Sequence, residues 1–277
     1  MDLVSLPEGE RIPALGMGTW KMGEHASRLG EEVAALRRGV ELGMRLVDTA
    51  EMYAEGGAER VVGAALAGCR DQVFVVSKVY PHNAGRRAAI AACERSLGRL
   101  RTDRIDLYLL HWRGDVPLDE TVRAFEELRA QGKIRHWGVS NFDVHDMDEL
   151  AALDAGAQCC ANQVYYSVSQ RGVEHSLAPW LAARSIPLMA YCPLDEGALV
   201  GDARLAAIGE RHGASAAQVA IAWLLARPGV VAIPKAARIA HVESNHAAAA
   251  LRLGAEDLAE IDRLFPPPRR KRPLAII

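Results

Sequence analysis

The sequence predicts an α/β protein built as a (β/α)8 barrel. Eight short apolar runs alternate with longer stretches of helical spacing along 277 residues. Several of the runs are continuously apolar instead of alternating, as befits parallel strands covered on both faces. No linker and no shift in composition divides the chain, so residues 1–277 read as one domain.

In chain order, Leu3 to Ile12 reads as two short strands around a Pro7-Glu8-Gly9 turn, a hairpin within residues 1–12. The barrel strands are expected at Ala14–Gly18, Leu46–Thr49, Val73–Lys78, Ile105–His111, Trp137–Ser140, Cys160–Val164, Leu188–Cys192 and Val230–Pro234. Between them, apolar residues recur at helical intervals: Val33, Leu36, Val40; Ile90, Cys93, Leu97, Leu100; Leu118, Val122, Phe125, Leu128; and Val144, Met147, Leu150, Leu153. Each set forms one apolar stripe with charges elsewhere, the pattern of a helix lying on a sheet. Gly68 and Gly132 fall just past such stripes, where C-terminal caps belong. Ser215-Ala216-Ala217-Gln218 has the form of a capping box opening a helix over Val219–Ala226. Residues 266–277 form a Pro-rich tail whose Arg269-Arg270-Lys271-Arg272 cluster reads as a solvated terminus.

Half of the residues are hydrophobic and a quarter charged, with 33 Lys plus Arg against 35 Asp plus Glu. That balance offers no electrostatic case for a nucleic-acid backbone or an anionic membrane. No apolar run is long enough to span a bilayer, and MDLVSLPEGE lacks the order of a signal peptide. The five cysteines are an odd number and form no C-x-x-C, which suggests free thiols in a reduced cytoplasm. Paired His or Cys ligands at metal-binding spacing are missing, so no metal is expected.

A barrel of this kind carries its chemistry at the C-terminal ends of the strands. The residues falling there are Thr19-Trp20, Asp48, Lys78, His111, Ser140-Asn141, Gln163, Tyr191 and Lys235. Singly each has a bland reading: a helix cap, a satisfied histidine, a surface charge. Stability alone requires no Lys or His at a strand end, and their coincidence at one rim points to a site.

These residues sit in ordered motifs. Gly43-Met44-Arg45-Leu46-Val47-Asp48-Thr49-Ala50-Glu51-Met52-Tyr53 resembles the first signature of the aldo-keto reductases. Val76-Ser77-Lys78-Val79 and Asp106-Leu107-Tyr108-Leu109-Leu110-His111-Trp112 resemble the family's lysine and histidine strands. Gly132-Lys133-Ile134-Arg135-His136-Trp137-Gly138-Val139-Ser140-Asn141-Phe142 is similar to the family pattern throughout. Asn162-Gln163-Val164, Tyr191-Cys192-Pro193-Leu194 and Ile233-Pro234-Lys235 follow in the family's order. The resemblance runs from Leu15 to about Phe265.

The resemblance implies a (β/α)8 barrel with an N-terminal hairpin capping its floor. It also implies reduction of aldehydes and ketones with NADPH, NADH being the second choice, without a dinucleotide-binding Rossmann unit. Gly16-Met17-Gly18-Thr19-Trp20-Lys21 agrees, since Lys21 stands where the third fingerprint glycine would be. Hydride transfer leaves negative charge growing on the carbonyl oxygen, and the site must supply a proton there. The resemblance makes Tyr53 the general acid and Lys78 the ammonium expected to lower its pKa. It makes Asp48 the partner that keeps Lys78 charged, and His111 the donor orienting the carbonyl.

By the same resemblance, Ser140, Asn141 and Gln163 bond the nicotinamide carboxamide and Tyr191 stacks on its ring. Pro193 and Leu194 line the pyrophosphate path. Thr19 and Trp20 stand at the mouth, and Trp20, His111 and Trp112 meet the substrate. Ile233, Lys235, Arg238 and Asn245 belong to the segment that would clasp a 2′-phosphate. That segment departs from the usual pattern: Ala236 replaces a Ser, His241 an Arg and Ser244 a Glu.

The short connection after His111 and the short tail suggest an open pocket for small aldehydes or dicarbonyls such as methylglyoxal. The expected partner is a small carbonyl compound, and the expected state a monomer. Two alternatives are a cofactor-binding regulatory subunit with slow turnover and a lyase using Lys78 for a Schiff base. A hydrolase is disfavoured because no Gly-x-Ser-x-Gly occurs.

Overall fold

The computed structural model describes residues 2–277. Its first two strands, β1 (Leu3–Ser5) and β2 (Arg11–Pro13), pair antiparallel. Eight parallel strands follow: β3 (Met17–Gly18), β4 (Leu46–Asp48), β5 (Phe74–Val79), β6 (Ile105–Leu110), β7 (Ile134–Ser140), β8 (Cys159–Tyr165), β9 (Leu188–Tyr191) and β10 (Val230–Ala232). They form one sheet in sequential order from β3 to β10. The sheet closes on itself through bridges of Leu15 to Ala232 and Gly18 to Lys235.

All eight expected strands are present, with ends shifted by a few residues. The first is the most reduced: Ala14 to Gly16 meet β10 through Ala232 N–H to the Ala14 carbonyl and Gly16 N–H to the Ala232 carbonyl, 2.8 and 2.9 Å, while the Ala14 N–H is taken up by the Asp2 carbonyl at 3.0 Å. The last stops before Pro234, which has no N–H for a ladder.

The strands alternate between two cores. Leu46, Phe74, Val76, Leu107, Leu109, Met189 and Val231 fill the barrel interior, and Leu6 and Ile12 of the hairpin join them. The hairpin therefore plugs the end where the strands begin. Val47, Val75, Tyr108 and Val139 point the other way and pack against the helices. Gly138 is required by this closeness: a Cβ there would lie 2.4 Å from the Ala161 carbonyl oxygen on the next strand.

The helices are α1 (Leu29–Glu41), α2 (Gly57–Ala65), α3 (Arg86–Leu100), α4 (Leu118–Ala130), α5 (Val144–Ala151), α6 (Leu177–Ala182), α7 (Ala203–Glu210), α8 (Ala216–Leu225), α9 (Ile239–Ala247) and α10 (Ala255–Leu264). The Ser215–Gln218 capping box opens α8 as the sequence indicates. Gly132, at φ +71°, ends α4 in the left-handed conformation that a residue with a Cβ resists. Leu153 lies outside α5, which stops at Ala151. The chain carries more than one helix per strand late in the barrel: α7 precedes α8, and α10 follows α9. Asp202 caps α7 by accepting from the amides of Arg204 and Leu205.

The Arg269–Arg272 cluster is exposed, as expected of a solvated tail. The segment around it is nevertheless docked. Lys271 pairs with Asp143 at 3.0 Å, and Leu274 packs on the outer core.

Candidate active site

The C-terminal ends of the strands bring Asp48, Tyr53, Lys78 and His111 together. Asp48 is the last residue of β4, Lys78 the last but one of β5, and His111 follows β6. Tyr53 sits on the turn after β4. There Ala54, Glu55 and Gly56 all adopt positive φ, and this reversal folds the chain back into α2.

Lys78 is fully buried. Its ammonium donates to both carboxylate oxygens of Asp48, at 2.9 and 2.8 Å, and to the Thr49 carbonyl at 2.9 Å. The Tyr53 hydroxyl lies 3.2 Å from the same nitrogen. A fully buried ammonium is costly unless paired, and here the carboxylate and two further oxygens surround it. Burial lowers the Lys78 pKa from its ordinary value, and Asp48 opposes the change. With these acceptors around it, Lys78 presents no free lone pair, which disfavours the Schiff-base alternative.

The expectation that Lys78 lowers the Tyr53 pKa is reversed. Burial pushes the phenol well above its ordinary value, and the nearby Asp48 charge pushes it the same way. The carboxylate neutralises the ammonium that the sequence reading credits with acidifying the phenol. Tyr53 is therefore protonated throughout the neutral range.

Burial, and secondarily the Lys78 charge, hold the His111 pKa well below its ordinary value, so the imidazole is neutral. His111 is 8% exposed, and its Nδ1 is buried without a hydrogen-bond partner among the described residues. Its ring meets Tyr53 edge-on at 5.8 Å and Trp112 at 4.9 Å. An unsatisfied imidazole at the barrel mouth is unusual for a structural residue.

Tyr80 completes this wall and is absent from the sequence reading. Its ring lies 5.8 Å from Trp112, 6.5 Å from His111 and 4.6 Å from His82. Its position just past the lysine strand is the one signal that could have marked it.

The residues expected to bond a carboxamide bond one another. Ser140 Oγ donates to the Gln163 carbonyl at 2.8 Å, and Asn141 Nδ2 donates to Ser140 Oγ at 3.2 Å and to the His111 carbonyl at 3.1 Å. The Tyr191 hydroxyl donates to Asn141 Oδ1 at 2.9 Å. Gln163 Nε2 donates to Asp48 Oδ1 at 2.7 Å, which leaves its side-chain Oε1 as the available group. Asn141 holds φ +59°, a left-handed conformation that asparagine tolerates. Tyr165 stacks on Tyr191 at 5.4 Å and 30°, fixing that ring.

Thr19 follows β3 and donates to the Asp48 carbonyl at 2.9 Å. Trp20 is half-buried beside it, with the Lys21 amine 4.2 Å from its ring centre. Pro193 and Leu194 lie on the loop that Cys192 opens after β9. Ile233 is buried with its side chain in the barrel interior, so only its backbone faces the connection beyond. Lys235 and Arg238 are exposed and have no ion-pair partner among the described residues. Arg238 precedes α9, and its Nη2 lies 3.2 Å from His241 Nε2. Asn245 is buried on the same helix. Among the described residues no group of three or more His, Cys, Asp or Glu is placed to hold a metal.

Fold and site together define a closed α/β barrel with an ammonium, carboxylate, phenol and imidazole at its mouth. The chain belongs to the aldo/keto reductase family, whose model matches residues 14–265. It is 54% identical over 271 residues to methylglyoxal reductase YeaE of Escherichia coli (strain K12), covering 96% of this chain and 95% of that protein. It is 37% identical over 265 residues to glyoxal reductase of Bacillus subtilis (strain 168), covering 95% of this chain and 92% of that one. A crystal structure of an aldo/keto reductase from Klebsiella pneumoniae in complex with NADP and acetate superposes with a TM-score of 0.97 at 51% identity, over 99% of both chains.

Proposed function

We propose that the protein reduces small aldehydes and ketones, methylglyoxal-like dicarbonyls among them, with NADPH. The observation that carries this reading is the fully buried Lys78 ammonium, held by Asp48 at 2.8 Å and lying 3.2 Å from the Tyr53 hydroxyl. The similarity to the methylglyoxal and glyoxal reductases supports the substrate class.

The residues present fit a nicotinamide dinucleotide phosphate at both ends. Lys235 and Arg238 offer uncompensated cations beside the start of α9, suited to a 2′-phosphate. Tyr191, held by Tyr165 and Asn141, offers a fixed ring face for the nicotinamide, with Ser140, Asn141 and Gln163 around its carboxamide. Thr19 and Trp20 stand at the mouth, Pro193 and Leu194 along the pyrophosphate, and Asn245 and the Ile233 backbone near the phosphate end.

Bound there, the cofactor supplies a hydride to the carbonyl carbon. The chain's own residues handle the oxygen. Neutral His111 donates a ring N–H to the carbonyl oxygen and orients it between Trp20 and Trp112. Tyr53 transfers its proton to that oxygen. Lys78 stabilises the tyrosinate left behind, and Asp48 keeps Lys78 charged. We further propose that the protein acts as a monomer in the cytoplasm, a compartment that suits its five free cysteines.

The test is NADPH and NADH oxidation with methylglyoxal, glyoxal and bulky ketones. We expect turnover with NADPH and the small dicarbonyls. Arg238→Ala and Lys235→Met should each raise the NADPH KM roughly tenfold, the effect of one charge-assisted bond, with little effect on NADH. No turnover of any carbonyl with either cofactor contradicts the reading.

The pKa directions set the pH dependence. Reduction needs Tyr53 protonated and His111 neutral. Tyr53 is raised, so it stays protonated as the pH climbs to its ordinary value of about 10. His111 is lowered, so it stays neutral as the pH falls to its ordinary value of about 6.5. The kcat/KM profile for reduction is therefore expected to be flat from about pH 6.5 to about pH 9. A falling limb inside that window that disappears in Tyr53→Phe contradicts the protonated phenol.

A further inference from the structure

We propose that Tyr165 and Ser169 latch Asp195, hold the Cys192–Gly197 loop against the barrel and thereby set how tightly NADPH is retained. The inference rests on the cofactor reading above, since this loop carries Pro193 and Leu194.

The loop has an unfavourable backbone. Cys192, Asp195 and Glu196 have φ of +48°, +51° and +51°, and Gly197 has +101°. The first three carry a Cβ, for which left-handed conformations are disfavoured. Turn bonds shape the loop internally, from Asp195 N–H to the Cys192 carbonyl and from Gly197 N–H to the Leu194 carbonyl, both 2.9 Å. Bonds within the loop do not decide where it lies relative to the barrel.

Buried Pro193 and the packing of Leu194 on the outer core seat the first half of the loop, and Asp195 ties down its second half. Among the described residues, its carboxylate makes the loop's side-chain hydrogen bonds to the rest of the barrel. One oxygen accepts from the Tyr165 hydroxyl, the other from Ser169 Oγ at 2.7 Å. Both donors are themselves anchored. Tyr165 ends β8 and stacks on Tyr191. Ser169 lies 3.0 Å from the hydroxyl of fully buried Ser167. Burial and the Asp195 charge keep the Tyr165 phenol protonated, so it remains a donor.

The arrangement also controls charge. A free carboxylate next to the pyrophosphate path would repel the phosphates. With both oxygens engaged by hydroxyls of the preceding barrel segment, Asp195 is committed to the wall. Losing either hydroxyl frees the loop and releases negative charge beside the cofactor, and both effects weaken NADPH binding.

The test uses the full chain with Tyr165→Phe, Ser169→Ala, Asp195→Ala and Asp195→Asn. NADPH affinity and dissociation rate are read by protein fluorescence, alongside methylglyoxal KM and melting temperature. Tyr165→Phe keeps the ring that stacks on Tyr191. It should raise the NADPH Kd roughly tenfold, mainly through faster dissociation, with the methylglyoxal KM within about twofold of wild type. Ser169→Ala should act in the same direction. Asp195→Asn, whose amide oxygen still accepts from Tyr165, should be milder than Asp195→Ala. The proposal is overturned if Tyr165→Phe and Asp195→Ala leave NADPH Kd and dissociation within about twofold of wild type, whether or not their melting temperatures fall. If wild type binds no NADPH, the cofactor reading fails, and the latch with it.

Discussion

Tyr53→Phe is expected to lower kcat for carbonyl reduction by about 10²–10⁴-fold, the usual contribution of a positioned general acid. The substitution removes one oxygen and keeps the ring that packs edge-on against His111. It deletes the hydroxyl that faces Lys78 at 3.2 Å. Nothing nearby replaces the proton: Lys78 is bound to Asp48 and Thr49, and neutral His111 is a poor acid. NADPH affinity should stay within about twofold of wild type, because the proposed cofactor contacts lie on other strands. Steady-state kinetics with methylglyoxal, paired with NADPH binding, read both quantities. A variant retaining more than about a tenth of wild-type kcat removes Tyr53 as the donor.

Lys78→Met is expected to combine loss of activity with a large loss of stability. Methionine fills similar volume, so the effect is electrostatic. Asp48 is 2% exposed, and without the ammonium its carboxylate keeps only Gln163 as a side-chain donor. Breaking one side of a buried pair costs about 3–5 kcal/mol, since the remaining charge is uncompensated. Urea unfolding should show that loss. The Asp48→Asn/Lys78→Met double variant should recover part of it, because no buried charge remains. Its activity should stay at least about 100-fold below wild type, because the tyrosinate formed in the reaction would have no cation. A Lys78→Met protein within about 1 kcal/mol of wild type, or a double variant less stable than the single, contradicts a charged Lys78–Asp48 pair.

The strands were legible because their chemistry is one-sided. Runs such as Val73 to Val76 and Leu107 to Leu110 are apolar, and the polar residue that follows has no structural need to be there. Asp48, Lys78 and His111 stand out for that reason, and the structure brings them to one rim. What was hidden depends on distance along the chain or on burial. Gln163 bonds Asp48 across 115 positions, and Tyr80 joins the aromatic wall only once β5 and β6 are adjacent. The tail looked free because Pro and Arg dominate it, while its docking rests on Lys271 and Leu274. The direction of the Tyr53 shift was misread because spacing reveals the neighbouring ammonium, whereas the depth of the phenol and the field of Asp48 belong to the folded state. Helix α7 was missed since only Leu205 and Ile208 mark its buried stripe.

The most direct test of the central claim is a single-turnover experiment on enzyme preloaded with NADPH and mixed with methylglyoxal, comparing wild type with Tyr53→Phe. The account predicts the same amplitude of NADPH bound in both proteins and a chemical step at least about 100-fold slower in the variant. Equal rates for that step would show that the proton reaches the carbonyl oxygen from somewhere other than Tyr53.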